Sequence, residues 1–189
     1  TLAAYKGAVA YPITVTGEAP KVSGSRPALP CKGITTSLMA GGSVLNLGDL
    51  GLTDITGIAS LMVTYQGKPT PIKSLPKLAL YLSNNQIKTI PPEIFTLNNV
   101  YALYFDDNQI GTVPSAISQM TMLNTLSLSG NVMNSIPNSI ATMKNLNKLE
   151  LVGCKLPALP SDFSQMCLVD FHAMSNQFKT LPKGLICSE

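Results

Sequence analysis

The stretch LSLSGNVMNSIP, residues 126–137, places one polar amide inside an apolar pattern. Leu126 and Leu128 alternate with serines, which is the period-2 pattern of a strand with one buried face. Asn131 follows, and further apolar residues lead to Pro137. Because proline cannot donate to a strand ladder but suits the first turn of a helix, the stretch predicts a short strand, a turn and a helical return segment.

This stretch recurs along the chain at a nearly constant spacing. The counterparts of its asparagine follow one another in steps of 23, 23, 23 and 22 residues, and the column reads Asn85, Asn108, Asn131, Cys154 and Asn176. A proline stands six residues after each member, and apolar residues stand five and three residues before it: Leu80 and Leu82, Leu103 and Phe105, Leu126 and Leu128, Leu149 and Leu151, Phe171 and Ala173. Such a period indicates stacked units, each of which buries its apolar face only against its neighbours.

The pattern LxxLxLxxNxLxxLPxxIxxLxx resembles the leucine-rich repeat in its short form of about 23 residues. The copy LNTLSLSGNVMNSIPNSIATMKN, residues 123–145, fits it at nearly every position, and the resemblance covers residues 77–189. It implies an α/β fold, a curved solenoid with parallel strands on its concave face and short helical or 3-10 turns on its convex face. About five repeats are regular and one is degenerate.

The asparagine column has a physical role in such a coil. Backbone groups that turn inward after the strand lose water, and each unsatisfied group costs on the order of 1–3 kcal/mol. An amide side chain both donates and accepts, so Asn85, Asn108, Asn131 and Asn176 can each tie one turn to the next coil. Cys154 suits the same position because a thiol tolerates burial and donates weakly.

Residues 1–30 do not repeat and are predicted to form an N-terminal extension. AVAYPITVTG, residues 8–17, has the composition of a strand. EAPKVSGSRPALP, residues 18–30, has the Pro/Gly/Ser-rich composition of a linker. Because open solenoid ends expose core, we expect the extension either to cap the solenoid or to reach a neighbouring molecule.

Residues 31–189 are predicted to form the leucine-rich-repeat domain. Within it, a degenerate repeat occupies about 42–62 and the regular repeats occupy 77–189. The intervening segment 63–74, VTYQGKPTPIKS, contains one glycine and two prolines, which favours a loop excursion. It is either a tolerated surface insertion or a partner-binding loop.

Composition excludes several functional classes. Apolar residues make up 45% of the 189 and charged residues only 12%, which supplies a core and excludes disorder. The net charge of +3 is scattered without a Lys/Arg run, so no nucleic-acid partner is expected. No apolar run reaches the length of a membrane span, so membrane insertion by this segment is not expected.

The chain has four cysteines, Cys31, Cys154, Cys167 and Cys187, and one histidine. No pair has CxxC spacing, so we expect no zinc site and no other metal or cofactor. Cys167 and Cys187 fall about one coil apart, and a disulfide between them is one connectivity the spacing allows. Cys31 has no obvious partner, which leaves an intermolecular bond open. Low charge and scattered cysteines favour an exported protein.

The strand residues that alternate with the buried leucines are expected to lie exposed on the concave face. These outward positions include Ala79, Ala102 and Thr125. The resemblance implies that this face binds the partner, and the candidate contacts are Tyr81, Tyr104, Asp106, Asp107, Ser127, Lys148, Glu150, Asp170 and His172. Tyrosine favours recognition because it offers a large rigid area with a polar tip. The alternative is a plain solvated sheet face.

His172 falls beside Glu150 in the repeat register, with Asp170 nearby. Catalysis or metal binding there would need further groups, and the sequence offers no second histidine, nucleophile motif or phosphate-binding glycine loop. A cross-strand contact between His172 and Glu150 on an exposed face is therefore the preferred interpretation, and no enzyme activity is expected.

Three functional hypotheses remain. The first is a non-catalytic module that binds a protein or peptide through its concave face and is exported or part of an ectodomain. The second is a structural subunit of a larger assembly, held by the N-terminal extension and segment 63–74. The third is an intracellular signalling scaffold, because short repeats of this kind also occur in cytoplasmic adaptors.

Overall fold

A computed structural model describes residues 10–12, 42–166 and 168–185. Within these residues the strands are β1 (Ala10–Pro12), β2 (Ser43–Asn46), β3 (Met62–Tyr65), β4 (Lys68–Pro71), β5 (Leu78–Tyr81), β6 (Val100–Tyr104), β7 (Thr125–Ser127), β8 (Lys148–Glu150) and β9 (Asp170–His172). Seven strands form one sheet in the order β1-β2-β5-β6-β7-β8-β9, and β3 pairs with β4 in a separate sheet.

The main sheet contains one parallel strand from each coil, from β2 through β5 to β9. The repeat leucines stand in register, with Leu103 opposite Leu126 and Leu126 opposite Leu149. Parallel neighbours require a long crossover, which the returning half of each coil provides. The predicted solenoid of parallel strands is therefore confirmed.

The returning segments form 3-10 turns at Ile58–Ser60, Ile72–Ser74, Pro92–Thr96, Ser115–Gln119 and Asn138–Thr142. The last three of these start directly after the repeat proline, whose φ near −65° suits the entry into a helical turn. Each of them points one isoleucine into the core, and these are Ile94, Ile117 and Ile140. The predicted 3-10 turns of the returning side are therefore confirmed.

The core lies between the strands and the 3-10 turns as a continuous stack. Leu80, Leu103, Leu126 and Leu149 are all fully buried at successive levels. Burying such a side chain contributes about 1.5–3 kcal/mol, and each needs the coils on both sides of it. Phe171 of β9 is only partly buried, because β9 is the last strand in the order of the sheet.

β1 extends the sheet at its N-terminal edge. It pairs antiparallel with β2, with Ala10 opposite Leu45 and Pro12 opposite Ser43. An edge strand exposes unpaired backbone groups, and β1 satisfies those of β2 on this side. The linker at 18–30 lies outside the described residues, so the domain boundary there stays a prediction.

The expectation of a loop at 63–74 is wrong, because residues 62–71 form a β-hairpin and the 3-10 turn Ile72–Ser74 follows it. β3 and β4 pair antiparallel across Gln66 and Gly67, which both have positive φ, as a two-residue hairpin turn requires. Val63 and Ile72 are buried in the core and anchor the hairpin. Prolines are tolerated because a two-stranded sheet consists only of edge strands.

Candidate functional site

The concave face is built from side chains that project from successive parallel strands. The central column reads Tyr81, Tyr104, Ser127, Glu150 and His172, and the strand register sets each beside the next. Neighbouring strands lie about 4.8 Å apart, so side chains on adjacent strands touch. The column therefore forms one surface across five coils.

Two aromatic rings stand at the β5–β6 end of this surface. The rings of Tyr81 and Tyr104 stack with centroids 4.3 Å apart and planes 6° from parallel. They pack on a second apolar cluster, separate from the main core, in which Ala79, Tyr101 and Ala102 are buried. The ring pair is thus supported from below by buried side chains.

Tyr101 is a member of this cluster that sequence reasoning missed. The pairing of β5 with β6 shifts between Leu78 and Ala79, so β6 carries one extra residue there. Such a bulge re-aims the side chain of the inserted residue. The available signal was a large aromatic at the repeat position where the next coils have Asn124 and Asn147.

Two tyrosines of this cluster, Tyr101 and Tyr104, resist ionisation because their pKa values are raised. Burial, and to a smaller extent the neighbouring Tyr81, raises the pKa of Tyr101 to about 12. Burial and the neighbouring Tyr81 also hold the pKa of Tyr104 far above the usual value of a phenol. Both rings therefore present neutral hydroxyls at physiological pH.

Polar side chains continue the surface from the rings. Asp106 accepts a hydrogen bond from Ser83 Oγ at 3.2 Å and another from the hydroxyl of Ser127. The same Ser127 Oγ lies 3.0 Å from Glu150 Oε2. One serine hydroxyl thus lies between two carboxylates of the neighbouring coils, and its single hydrogen can serve only one of them at a time.

Ion pairs occupy the β8–β9 end. Lys148 Nζ lies 2.9 Å from Glu150 Oε1 and 3.3 Å from Asp170 Oδ2. The hydrogen bond to Glu150 raises the pKa of Lys148 despite an opposing effect of burial. Burial acts to raise the pKa of Asp170, but hydrogen bonds from Lys148 and His172 outweigh it, and the pKa is lowered overall.

His172 stands beside Glu150 in the strand register, as the sequence predicts. Its Nε2 lies 2.5 Å from Asp170 Oδ1 on the same strand, which is its hydrogen-bond partner. Glu150 is held instead by Lys148, whose flexible stem reaches it along β8.

Ser127 is fully buried, and the expectation that it lies exposed is wrong. Its small side chain sits between larger neighbours, and its hydroxyl lies within hydrogen-bond distance of both flanking carboxylates. The outward positions Ala79, Ala102 and Thr125 are buried as well, and the two alanines lie under the tyrosine rings. Of the candidate contacts, Tyr81, Tyr104, Asp106, Lys148, Glu150 and Asp170 are half-buried, and Asp107 and His172 are exposed.

Asp107 lies at the rim of the face, directly after Asp106. Its backbone has a φ of 53°, and its side chain reaches over Gly130 on the neighbouring coil. Any side chain at Gly130 would collide with this carboxylate, so the glycine permits the approach. Asp106 and Asp107 therefore bring two carboxylates to one end of the tyrosine pair.

The asparagine column binds coil to coil inside the solenoid. Asn131 Nδ2 donates to Phe105 O and Leu128 O at 2.9 Å, and its Oδ1 accepts from Ile110 N at 3.0 Å. Asn85, Asn108 and Asn176 make the same set of bonds.

Cys154 occupies the same column but makes a different set of hydrogen bonds from the asparagines. Its Sγ donates to Leu128 O at 3.2 Å, but a thiol is a poor acceptor. The backbone carbonyl of Cys154 takes over that role and accepts from Met133 N at 3.0 Å. Burial raises the pKa of the thiol, which keeps it protonated and able to donate.

Metal and membrane features can be judged only for the part of the chain that the structure describes. There, no three His, Cys, Asp or Glu side chains come close enough together to hold a metal ion. No helix in that part has the length and apolarity to cross a membrane. Cys154 is a free thiol, whereas Cys31, Cys167 and Cys187, and with them the suggested disulfide, lie outside the described residues.

Comparison with known proteins identifies the repeat. The family profile described as "Leucine rich repeat" matches residues 78–133. The chain is similar to a leucine-rich-repeat protein of Leptospira interrogans, with 34% identity and a TM-score of 0.50 over 54% of this chain and 26% of that one. No curated protein matches the chain.

Two plant structures are also similar. The ectodomain of the Arabidopsis thaliana receptor kinase GASSHO1/SCHENGEN3, solved with CASPARIAN STRIP INTEGRITY FACTOR 2, has 26% identity and a TM-score of 0.53, covering 71% of this chain and 16% of that one. The BIR2 ectodomain of Arabidopsis thaliana, at 21% identity, TM-score 0.52 and coverages of 79% and 76%, shows the fold alone. The chain thus spans 26% of the Leptospira protein and 16% of the receptor ectodomain.

Proposed function

The described chain is a leucine-rich-repeat solenoid, and we propose that it is a non-catalytic recognition module that binds a protein or peptide partner through its concave face. The observation that carries this proposal is the continuous surface of β5 to β9, where the stacked pair of Tyr81 and Tyr104 adjoins a row of charged side chains. Tyrosines in rigid, partly desolvated settings contribute strongly to protein recognition.

Rigidity of the face supports this function. The rings of Tyr81 and Tyr104 are already stacked, and Lys148 is already held by two carboxylates. Side chains ordered before binding lose little conformational entropy when a partner arrives. A partner would therefore meet a preformed surface.

The comparisons support an extracellular setting for this module. The Arabidopsis structure is a receptor ectodomain in complex with a second factor, and its fold resembles that of this chain. Because fold alone does not determine function, the analogy adds weight only together with the tyrosine pair and the charged row. We accordingly propose that the chain is exported or forms part of an ectodomain.

The test is isolation of the native protein with its bound partner, followed by affinity measurements on variants. The double substitution Tyr81→Ala/Tyr104→Ala should weaken binding at least about tenfold, because anchor tyrosines at interfaces have effects of this size. Tyr65→Ala, on the hairpin, is the matched control and should leave affinity unchanged. Equal affinity of the double variant and the wild type would contradict the concave site.

One observation favours the second hypothesis, a structural subunit of a larger assembly. The hairpin of β3 and β4 is an ordered element that presents Met62 with 52% of its surface exposed. Under that hypothesis Met62→Ser would disrupt the assembly, and the tyrosine double variant would not. The same two variants therefore separate the two functions.

A further inference from the structure

The concave face has a charge opposite to that of the chain. The chain carries a net charge of +3. Among the described residues of the face, however, four carboxylates, those of Asp106, Asp107, Glu150 and Asp170, oppose the single ammonium of Lys148. A surface with this contrast steers partners of positive charge towards it.

The one ammonium among these residues, that of Lys148, already makes ion pairs at the β8–β9 end of the face. Lys148 pairs with Glu150 and Asp170, which are the carboxylates furthest from the tyrosines. Within the described part of the chain, Asp106 and Asp107 make no ion pair. The uncompensated negative charge therefore lies beside Tyr104, at the β6 end.

The carboxylate of Asp106 can accept further hydrogen bonds. Its donors in the structure are the hydroxyls of Ser83 and Ser127. The hydroxyl of Ser127 has one hydrogen and also faces Glu150, so it cannot serve both carboxylates at once. An additional donor from outside would satisfy what the serine cannot.

The shape beside Tyr104 suits a planar group. Tyr81 covers one face of the Tyr104 ring, and the other face is turned towards β7. The residue in register there is the small, buried Ser127 and not a third ring. Asp106 lies two residues beyond the end of β6 at Tyr104, and its carboxylate reaches the same side of the sheet, where it accepts from the hydroxyl of Ser127.

We infer that the partner is a protein with an extended basic segment, and that one of its arginine side chains stacks on Tyr104 and donates to Asp106. This inference rests on the proposed function and adds the chemistry of the partner. Guanidinium is planar, stacks on aromatic rings and donates two parallel hydrogen bonds to a carboxylate, whereas an ammonium offers only a point charge. Asp107 and Glu150 strengthen the field around it.

The experiment uses a displayed library of random 12-residue peptides selected against the full chain. Selected peptides should be enriched in arginine and should bind Asp106→Asn roughly 10- to 100-fold more weakly, as expected for a charge-assisted hydrogen bond. Replacing the critical arginine of a peptide by lysine should also weaken binding severalfold. The matched control is Asp162→Asn, the same charge change outside the face at a site where asparagine can still accept from Ser164 N.

A second variant guards against misfolding. Asp107→Asn alters an exposed carboxylate, and it should weaken arginine peptides while the melting temperature stays unchanged. Selected peptides without positive charge that still require Tyr81 and Tyr104 would overturn the arginine inference and leave the proposed function standing. Failure to select any peptide, or peptides indifferent to both tyrosines, would count against the proposed function and the inference together.

Discussion

Replacing Asn131 by alanine should destabilise the solenoid far more than its size suggests. The side chain is fully buried and makes three bonds to the backbone of two coils. Without it, the N–H of Ile110 has no acceptor in the interior, which costs about 1–3 kcal/mol. Phe105 O and Leu128 O each keep a second donor, from Asn108 and Cys154, so each loses only about 0.5–1.5 kcal/mol.

The expected loss of unfolding free energy for Asn131→Ala is therefore about 4 kcal/mol. Folded domains are stable by about 5–15 kcal/mol, so this is a large fraction. For a chain of this length the melting temperature should fall by roughly 8–16 °C. Urea denaturation followed by circular dichroism measures the free energy, and a thermal scan measures the temperature.

Two further variants sharpen this test. Asn134→Ala, three residues away on an exposed position, should change stability by less than about 0.5 kcal/mol. Asn131→Cys should fall between the two, because Cys154 shows that a thiol can donate in this column while a backbone carbonyl accepts. If Asn131→Ala and Asn134→Ala unfolded at the same urea concentration, the argument from inter-coil hydrogen bonds would be refuted.

Three other predictions concern single residues. Gly130→Ala should cost about 1–3 kcal/mol of stability, because φ is +73° and the new Cβ would meet Asp107. Gly111→Ala, with open space around the new Cβ, should leave stability unchanged. The urea midpoints of the two variants test this difference. The pKa of Tyr101 is raised to about 12, which stabilises the fold below pH 10, and this contribution should fade as pH rises towards 12. Above pH 10 the unfolding free energy of Tyr101→Phe should therefore fall less steeply than that of the wild type. Equal slopes for the two proteins would contradict this prediction. The lowered pKa of Asp170 stabilises the fold above pH 4, and this contribution is lost as pH falls through the folded pKa. Asp170→Asn should therefore reduce the acid-induced loss of unfolding free energy, by no more than about 1 kcal/mol because the ion pair with Lys148 is partly exposed. An unchanged dependence of unfolding free energy on acid pH would argue against this prediction.

The fold was predictable because the same pattern of apolar residues, asparagine and proline occurs in several successive coils. A period of 23 residues, with leucines in alternation and proline at a fixed offset, leaves little choice in strand direction or in the side that faces the core. Each coil confirms the register of the next, so an atypical member such as Cys154 does not disturb the assignment.

The surface was less predictable because exposure depends on neighbours in other coils. Alternation correctly placed Ser127 on the concave side, but only the sizes of Tyr104 and Glu150 beside it decide that it is buried. The bulge at Tyr101, between β5 and β6, has no counterpart among the other parallel strand pairs that the structure describes. Segment 63–74 likewise contains proline and glycine that fit a hairpin as well as a loop.

Carboxylate footprinting of the native complex tests the central claim most directly. A carbodiimide couples an amine to accessible carboxylates, and mass spectrometry compares the labelling of each with and without the partner. The account predicts that the partner lowers labelling of Asp106, Asp107 and Glu150, while the exposed Asp54 and Asp162 keep theirs. Protection of Asp54 or Asp162 with unchanged labelling of the three concave carboxylates would contradict the account.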